Sequence, residues 1–276
     1  MMFKLHKGIV CLLAILLTFS TQLSAKVVDD VAPVGMWLFE EGSGATAADS
    51  SDFGNDGAIM GDVTWGKGKF GSGVIFDGNE GNYIEVPDSD SLDMGTEMSV
   101  VLWFYTDKQM TEANRWGDRQ VVLGKLYTEY EVGIYDSGQI HTYTSDVGNG
   151  DNGYDEGIFA SMAEVVDPDW KLGTWYHLAW TLKGTKETAY VNGMMIGEFD
   201  KNNAGTMGGD NALTIGMRTG GGLPLTGGID EVAIFNVALS PGMIMRIAEE
   251  GLAGSMTAVE PGNKLSTTWA NLKTQR

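Results

Sequence analysis

Trp175-Tyr-His-Leu-Ala-Trp-Thr-Leu182 is followed by Thr188-Ala-Tyr-Val191, then by Asn192-Gly193, then by Met194-Met-Ile-Gly-Glu-Phe199. Asn-Gly between two apolar runs is a strong hairpin signal, because a type I′ turn needs positive φ at both central positions. The stretch therefore predicts antiparallel strands joined by a tight turn. The same punctuation recurs outward in both directions. Upstream lie Gly35–Glu40, Val74–Asp77, Tyr83–Val86, Met98–Tyr105, Val121–Lys125, Tyr130–Tyr135 and Ile140–Thr144; downstream lie Leu213–Met217 and Gly228–Phe235. Several of these runs alternate apolar and polar residues, as half-buried strands do. The breaks between them, such as Asp49-Ser-Ser-Asp-Phe-Gly-Asn-Asp-Gly57, are built from residues that tolerate or bond to turn backbone. About a dozen strands at this spacing predict an all-β fold, an antiparallel two-sheet β-sandwich. One short helix is expected near the C-terminus, over Ser240–Glu250, with Ser240 as N-cap, Pro241 in the first helical position and Gly251 at the stop.

The ends of the chain read differently. Lys4 and Lys7 precede an apolar stretch, Gly8–Phe19, and Ser24-Ala25 offers small residues for cleavage. Residues 1–25 are therefore read as a signal peptide, the apolar run being short of the ~20 residues of a membrane span; the alternative is an uncleaved anchor. Residues 26–33 read as a linker, 34–251 as one sandwich domain, and 252–276 as a polar tail without periodicity. The single cysteine, Cys11, leaves with the signal, so the mature domain has no disulfide. The chain carries 18 Lys+Arg against 37 Asp+Glu, a net charge of -19; without Lys4 and Lys7 the mature chain reaches -21. Such a surface repels phosphates and argues against a nucleic-acid partner. In a secreted setting, an oxygen-rich acidic surface suits hard cations such as Ca²⁺.

Four motifs occur in a familiar order. They are Gly35-Met-Trp-Leu-Phe-Glu-Glu-Gly-Ser-Gly44 with Asp49–Gly57, Gly68-Lys-Phe-Gly-Ser-Gly-Val-Ile-Phe-Asp-Gly78 with Tyr83–Pro87, Trp175–Ala179 with Tyr190–Gly193, and Gly228–Ser240. Together the chain resembles the laminin-G-like, concanavalin A-like lectin/glucanase jelly roll of bacterial secreted proteins, over residues 34–250. The resemblance implies a jelly-roll sandwich that serves as a carbohydrate-binding module, an adhesion module or an enzyme accessory. Glucanases on this architecture carry Glu-x-Asp-x-Glu on a strand, and no such run occurs here. The resemblance also implies a structural Ca²⁺ with Asp230 as ligand, Asp77 as a second participant and Glu40 as a more remote third. The alternative is that Asp230 and Asp77 bond to turn amides.

Sugar rings stack on exposed aromatic faces, and loops on a rigid sandwich carry specificity. Trp116, in the polar stretch Asp107–Arg119 with Arg115 and Arg119 flanking it, is a candidate ligand contact. So are Trp170, in Asp167–Lys171, and Tyr154, in the acidic loop Asp146–Gly157; each can instead cap an edge of the core. Trp37, Trp103, Trp175 and Trp180 lie in strand patterns and are expected in the core. The acidic loop does not have EF-hand spacing, and either a rim cation or plain solvation accounts for it. No nucleophile elbow or His-Glu-x-x-His run is present. His141 can face a groove, His177 is expected to be structural, and the pairs Glu129-x-Glu131 and Asp167-x-Asp169 are common in so acidic a chain. Gly66–Gly71 matches Gly-x-Gly-x-x-Gly, but a strand follows where a nucleotide site needs a helix. The sequence thus points to a secreted, non-catalytic module binding a glycan or extracellular polysaccharide. A cell-surface protein is the alternative partner, and a glycan-active enzyme the least favoured reading.

Overall fold

A computed structural model describes residues 31–109, 115–135, 138–145, 154–161, 170–206 and 208–256, without the side chains of Arg115 and Trp116. Residues 1–30, with the expected signal peptide and most of the expected linker, residues 146–153 of the acidic loop, the Asp167-x-Asp169 pair and residues 257–276 lie outside the described residues. Among the described residues there are sixteen strands. They are β1 (Gly35–Trp37), β2 (Thr46–Ala47), β3 (Gly57–Met60), β4 (Thr64–Lys67), β5 (Ser72–Asp77), β6 (Tyr83–Val86), β7 (Glu97–Thr106) and β8 (Gln120–Gly124). Then follow β9 (Tyr130–Ile134), β10 (Gln139–Ser145), β11 (Tyr154–Ser161), β12 (Tyr176–Lys183), β13 (Lys186–Val191), β14 (Met194–Asp200), β15 (Leu213–Ile215) and β16 (Thr226–Phe235). Helix α1 is one turn, Arg115–Asp118, and α2 spans Pro241–Met256.

The back sheet runs β14-β13-β12-β7-β16-β5-β4, with β1 added along the far half of β16. The front sheet runs β11-β10-β9-β8-β15-β6-β3-β2. Every pairing is antiparallel, and the fold is the two-sheet sandwich expected. Asn192 and Gly193 have φ of 49° and 79°, as the β13–β14 turn requires. Between the sheets lies one core. Val100, Leu102 and Phe104 of β7, Leu178 and Trp180 of β12, and Val132, Ile134 and Ile140 of the front sheet point into it. A carboxylate sits there too: Glu187 of β13 accepts hydrogen bonds from Thr142 and Thr144 of β10 and from Trp180 Nε1, tying one sheet to the other.

Where α2 crosses the back sheet, the outward residues are small: Val101, Ala179 and Ala233. Small side chains let a helix approach closely, and Met243, Ile244 and Ile247 of α2 cover them. Ser240 caps this helix, its Oγ accepting from Met243 N–H at 3.3 Å. Gly251, at φ 75°, breaks the helix where expected. The chain then continues helically to Met256, however, with Leu252 buried and its N–H donated to Glu231 at 2.8 Å. Residues 252–256, expected in the tail, are therefore helical and pack on the domain. The reason is packing: Leu252 adds an apolar contact that follows no repeat in the sequence. Trp175 is also corrected, being half-buried and edge-on to Tyr105 at 4.8 Å, whereas Trp37, Trp103 and Trp180 are in the interior.

Candidate functional site

The front sheet's register gathers polar and aromatic groups on its outer face. Tyr130, Val132 and Ile134 of β9 point inward, so Glu131 points out. Tyr143 of β10 lies directly opposite Glu131 on one side and Glu156 of β11 on the other. One step along, His141 pairs with Gly133 and Ile158, and at the other end Ser145 pairs with Tyr154. Tyr154 is therefore a strand residue, not a loop residue as expected. Tyr154–Gly157 continues the alternation of β11 and hydrogen-bonds along β10.

The tyrosines form an edge-to-face triangle. Ring centroids are 5.1 Å apart for Tyr143–Tyr154, 5.5 Å for Tyr127–Tyr154 and 6.2 Å for Tyr127–Tyr143. Tyr154 is 48% exposed and Tyr143 only 5%, so the triangle has one rim member and one anchored base. Two guanidiniums flank it. Arg218 lies 5.2 Å from the Tyr127 centroid and 5.4 Å from that of Tyr143, and it forks onto Glu131, with Nε 2.8 Å from Oε2 and Nη2 donating to Oε1. Arg119 Nη1 donates to the Tyr143 hydroxyl at 2.7 Å. The Tyr143 and Tyr135 hydroxyls in turn donate to Glu156 Oε1, at 3.1 and 3.0 Å. His141 stacks flat on Tyr135 at 4.3 Å and stands edge-on to Tyr143. Burial pushes the Glu131 carboxyl up from its usual range, while Arg218 acts to lower it. Burial likewise raises Tyr143, opposed by the Arg119 charge and supported by Glu156, so its hydroxyl stays a donor at neutral pH.

The same row of residues continues across the sheet. Glu131 pairs with Gly124, Gly124 with Thr214, and Thr214 with Glu85. From Glu156 to Glu85 is five strand spacings, about 24 Å. At the Glu85 end a cavity of about 410 Å³ is lined by Glu80, Tyr83, Glu85, Thr214 and Thr219. The face thus offers an aromatic and charged cluster at one end and a hydroxyl- and carboxylate-lined hollow at the other.

Of the two expected ligand contacts whose side chains are described, Tyr154 joins this face and Trp170 does not. Trp170 is half-buried and packs on the core edge, 4.5 Å from Tyr176 and 6.5 Å from Phe104. The backbone of Trp116 lies on α1, three residues before Arg119, and its side chain lies outside the described residues. Tyr127, Tyr135, Tyr143 and Arg218 were not singled out from the sequence. The alternation His141, Tyr143, Ser145 was the available signal for β10, but Tyr127 and Arg218 come from loops that only the fold brings in.

The acids expected to hold Ca²⁺ do not come together as one set. Asp77 pairs in register with Thr226, four residues before Asp230, so the two lie about 13 Å apart along the strands. That is beyond any ion with ligands at ~2.3–2.6 Å. Asp77 instead bonds its own turn, accepting from Asn79 N–H at 3.0 Å and Asn82 Nδ2 at 2.8 Å; the Asn79 amide above all holds its carboxyl below the usual value. Glu40 and Asp230 do border the same loop, Gly68–Ser72. Asp230 Oδ2 accepts from Phe70 N–H at 2.9 Å, and Glu40 Oε2 from Ser72 N–H at 3.3 Å. A Cβ on Gly68 would sit 2.2 Å from the Ser72 carbonyl and 2.5 Å from Asp230, and one on Gly71 would sit 2.1 Å from Glu40. Glycine is what lets this loop close over both acids. Burial pushes Asp230 up to about 7, opposed by the Phe70 amide and supported by the charge of Glu231. Among the described residues no three His, Cys, Asp or Glu side chains converge as metal ligands. Two carboxylates and loop carbonyls are what this place could offer a cation.

The sequence profile of the concanavalin A-like lectin/glucanases superfamily matches residues 77–245. The chain belongs to that superfamily. No curated protein matches it by sequence. Solved structures share the superfamily fold at low identity. The binding domain of Paraclostridial Mosquitocidal Protein 1 is 14% identical with a TM-score of 0.63, over 79% of this chain and 52% of that one. Domain 4 of AbnA, a GH43 extracellular arabinanase from Geobacillus stearothermophilus solved with arabinotriose, is 19% identical with a TM-score of 0.58, over 79% of this chain and 98% of that one. The botulinum neurotoxin serotype D binding domain is 14% identical with a TM-score of 0.60, over 80% and 52%. The chain spans about half the length of these toxin domains and 98% of the arabinanase domain. At such identities the likeness is one of fold. No helix among the described residues is long and apolar enough to cross a membrane.

Proposed function

We propose that this lectin-superfamily chain is an extracellular, non-catalytic module that binds a glycan along the outer face of the front sheet. The observation that carries this reading is the Tyr127–Tyr143–Tyr154 triangle flanked by Arg119, Arg218 and Glu156. Tyrosines supply apolar faces for C–H stacking, and the fixed guanidinium and carboxylate groups orient hydroxyls. The arabinotriose complex of the arabinanase domain supports a sugar as ligand, and the apolar signal-like N-terminus supports secretion. The test is a glycan array followed by calorimetry on the full chain and on Tyr143→Phe. This variant keeps the ring and deletes the hydroxyl held by Arg119 and Glu156. It should bind the best glycan about tenfold more weakly, the order of one hydrogen bond, with little change in fold. An empty array, or unchanged affinity in the variant, would move the reading to a protein or cell-surface partner.

One observation favours a second reading. Glu131 and Glu156 flank Tyr143 two strand spacings apart, about 9.5 Å, near the separation of paired glycosidase carboxylates. Against it, Glu131 has no solvent exposure and is forked to Arg218, and Glu156 accepts from two tyrosines. Release of reducing ends from the bound glycan, lost in Glu156→Gln, would establish catalysis.

The proposal includes Ca²⁺ as a structural ion at Asp230 and Glu40, with main-chain oxygens of the Gly68–Ser72 loop completing its six to eight ligands. A cation there would hold the Asp230 carboxyl in its charged form and join the first motif to the last strand. Thermal unfolding with Ca²⁺ and with EDTA tests it. A calcium-dependent rise in Tm, lost in Asp230→Ala and kept in Asp77→Ala, is expected; equal Tm in both buffers removes the ion.

A further inference from the structure

A cavity of about 660 Å³ opens on the back sheet, where β12 and β13 meet the start of α2. Its size lies within the ~300–1,000 Å³ range of small-molecule sites. The cross-strand pair Thr181 and Thr188 forms its floor, with Tyr190 beside them, and Val237, Leu239 and Pro241 form an apolar wall. Thr181, Thr188 and Tyr190 are 5%, 8% and 6% exposed, and their side chains point outward because Trp180, Ala189 and Val191 take the inward positions. None of the three hydroxyls has a hydrogen-bond partner among the described residues. None of the three is among the side-chain atoms sealed from solvent without a partner, so the hydroxyls are open to the cavity and available to an occupant.

The charges at the mouth are already paired. Lys186 Nζ lies 3.2 Å from both Glu198 and Asp200, and Lys183 Nζ lies 3.8 Å from Glu97. An anion gains little there, since three carboxylates surround two ammonium groups. What the cavity does offer is hydroxyls, each both donor and acceptor, facing an apolar wall. That combination matches a ring with hydroxyls on its edge and C–H groups on its face.

We propose that this cavity binds a neutral sugar ring, at a second site on the opposite side of the sandwich from the tyrosine face. The site does not depend on the front-face reading. The experiment is amide NMR on the full chain, titrated separately with D-glucose, D-galactose, D-mannose and L-arabinose, and with D-glucuronate as the anionic comparison. At least one neutral sugar should shift the amides of residues 181–190 and 238–242 saturably. Thr188→Val and Tyr190→Phe should each weaken that binding about tenfold, while Tyr143→Phe leaves it unchanged. Thr188→Val removes an unpartnered hydroxyl, so the variant is expected to fold with a Tm equal to or above the parent. Three results would overturn the proposal: no neutral sugar shifts these amides, only glucuronate does so, or Thr188→Val binds as tightly as the parent. Failure of the front-face reading would instead appear at residues 127–156, and the two outcomes are separable.

Discussion

Under α2 the outward side chains of the back sheet are Val101, Ala179 and Ala233; at the middle of the front sheet's outer face they are Glu131, Tyr143 and Glu156. Both sheets are antiparallel, and both bury their inner faces in the same core. The back sheet closes its outer face with α2, because small apolar residues give a helix room and an apolar surface to cover. The front sheet keeps charged and aromatic side chains outward, and these satisfy one another through tyrosine hydroxyls and guanidiniums. The part of the back sheet under α2 is therefore closed by packing, whereas the front sheet's outer face stays open to solvent. The same strand period yields either outcome, depending only on what occupies the alternate positions.

The sharpest way to break this contrast is Arg218→Ala. It leaves Glu131, which has no solvent exposure, without its fork, and should cost about 3–5 kcal/mol in chemical denaturation. If the front face were an ordinary solvated surface, the loss would be within about 0.5 kcal/mol.

A second test uses pH on the back sheet, where His177, Trp103 and Asp230 follow one another across β12, β7 and β16. Burial takes His177 from 6.5 down to about 3, so its contribution is present above pH 6.5 and lost as pH falls toward 3. Over pH 6.5 to 4 this amounts to about 3 kcal/mol. Asp230 works the other way: its carboxyl is raised from 3.8 to about 7, so its contribution is present below 3.8 and lost as pH rises through 7. In EDTA, so that no cation holds Asp230 charged, the fall in Tm between pH 7 and 4 should be smaller than the parent's in His177→Gln and larger in Asp230→Asn. Parallel profiles for all three proteins would show that neither group titrates in its folded environment.

The smallest effect sharpens the comparison from the closed side. Ala179→Leu forces a larger group under α2 and should cost about 1–3 kcal/mol, with glycan affinity at the front face unchanged. Loss of affinity in this variant would mean that the two faces are coupled through the core.

Much of the front face was in view in the sequence without being recognisable as a site. His141, whose strand alternation allows it to face a groove, and Glu131, half of a carboxylate pair, both lie on the outer side of the front sheet and both are buried there. Tyr154 stands out in sequence as an aromatic among acids, but Asp146–Gly157, rich in Gly and Asn throughout, reads as a loop. Trp170 stands out in the same way and packs on the core edge, because a polar neighbourhood in sequence does not say which way a side chain turns. Asp77 and Asp230 were grouped by motif, yet the register of β5 against β16 holds them four residues apart.

The sequence by itself determined what depends on near neighbours. The strand runs, the Asn192-Gly193 turn, the Ser240 cap, the Gly251 break and the sandwich class all follow from periodicity and local backbone preference. Only the tertiary structure decided which outward residues meet. Tyr127, Tyr143 and Tyr154 come from three segments, Arg218 lies 87 positions from the Glu131 it forks onto, and Thr181 faces Thr188 over a cavity closed by the start of a helix more than fifty residues later. Such contacts arise from strand register and loop closure over long separations, and no local pattern encodes them.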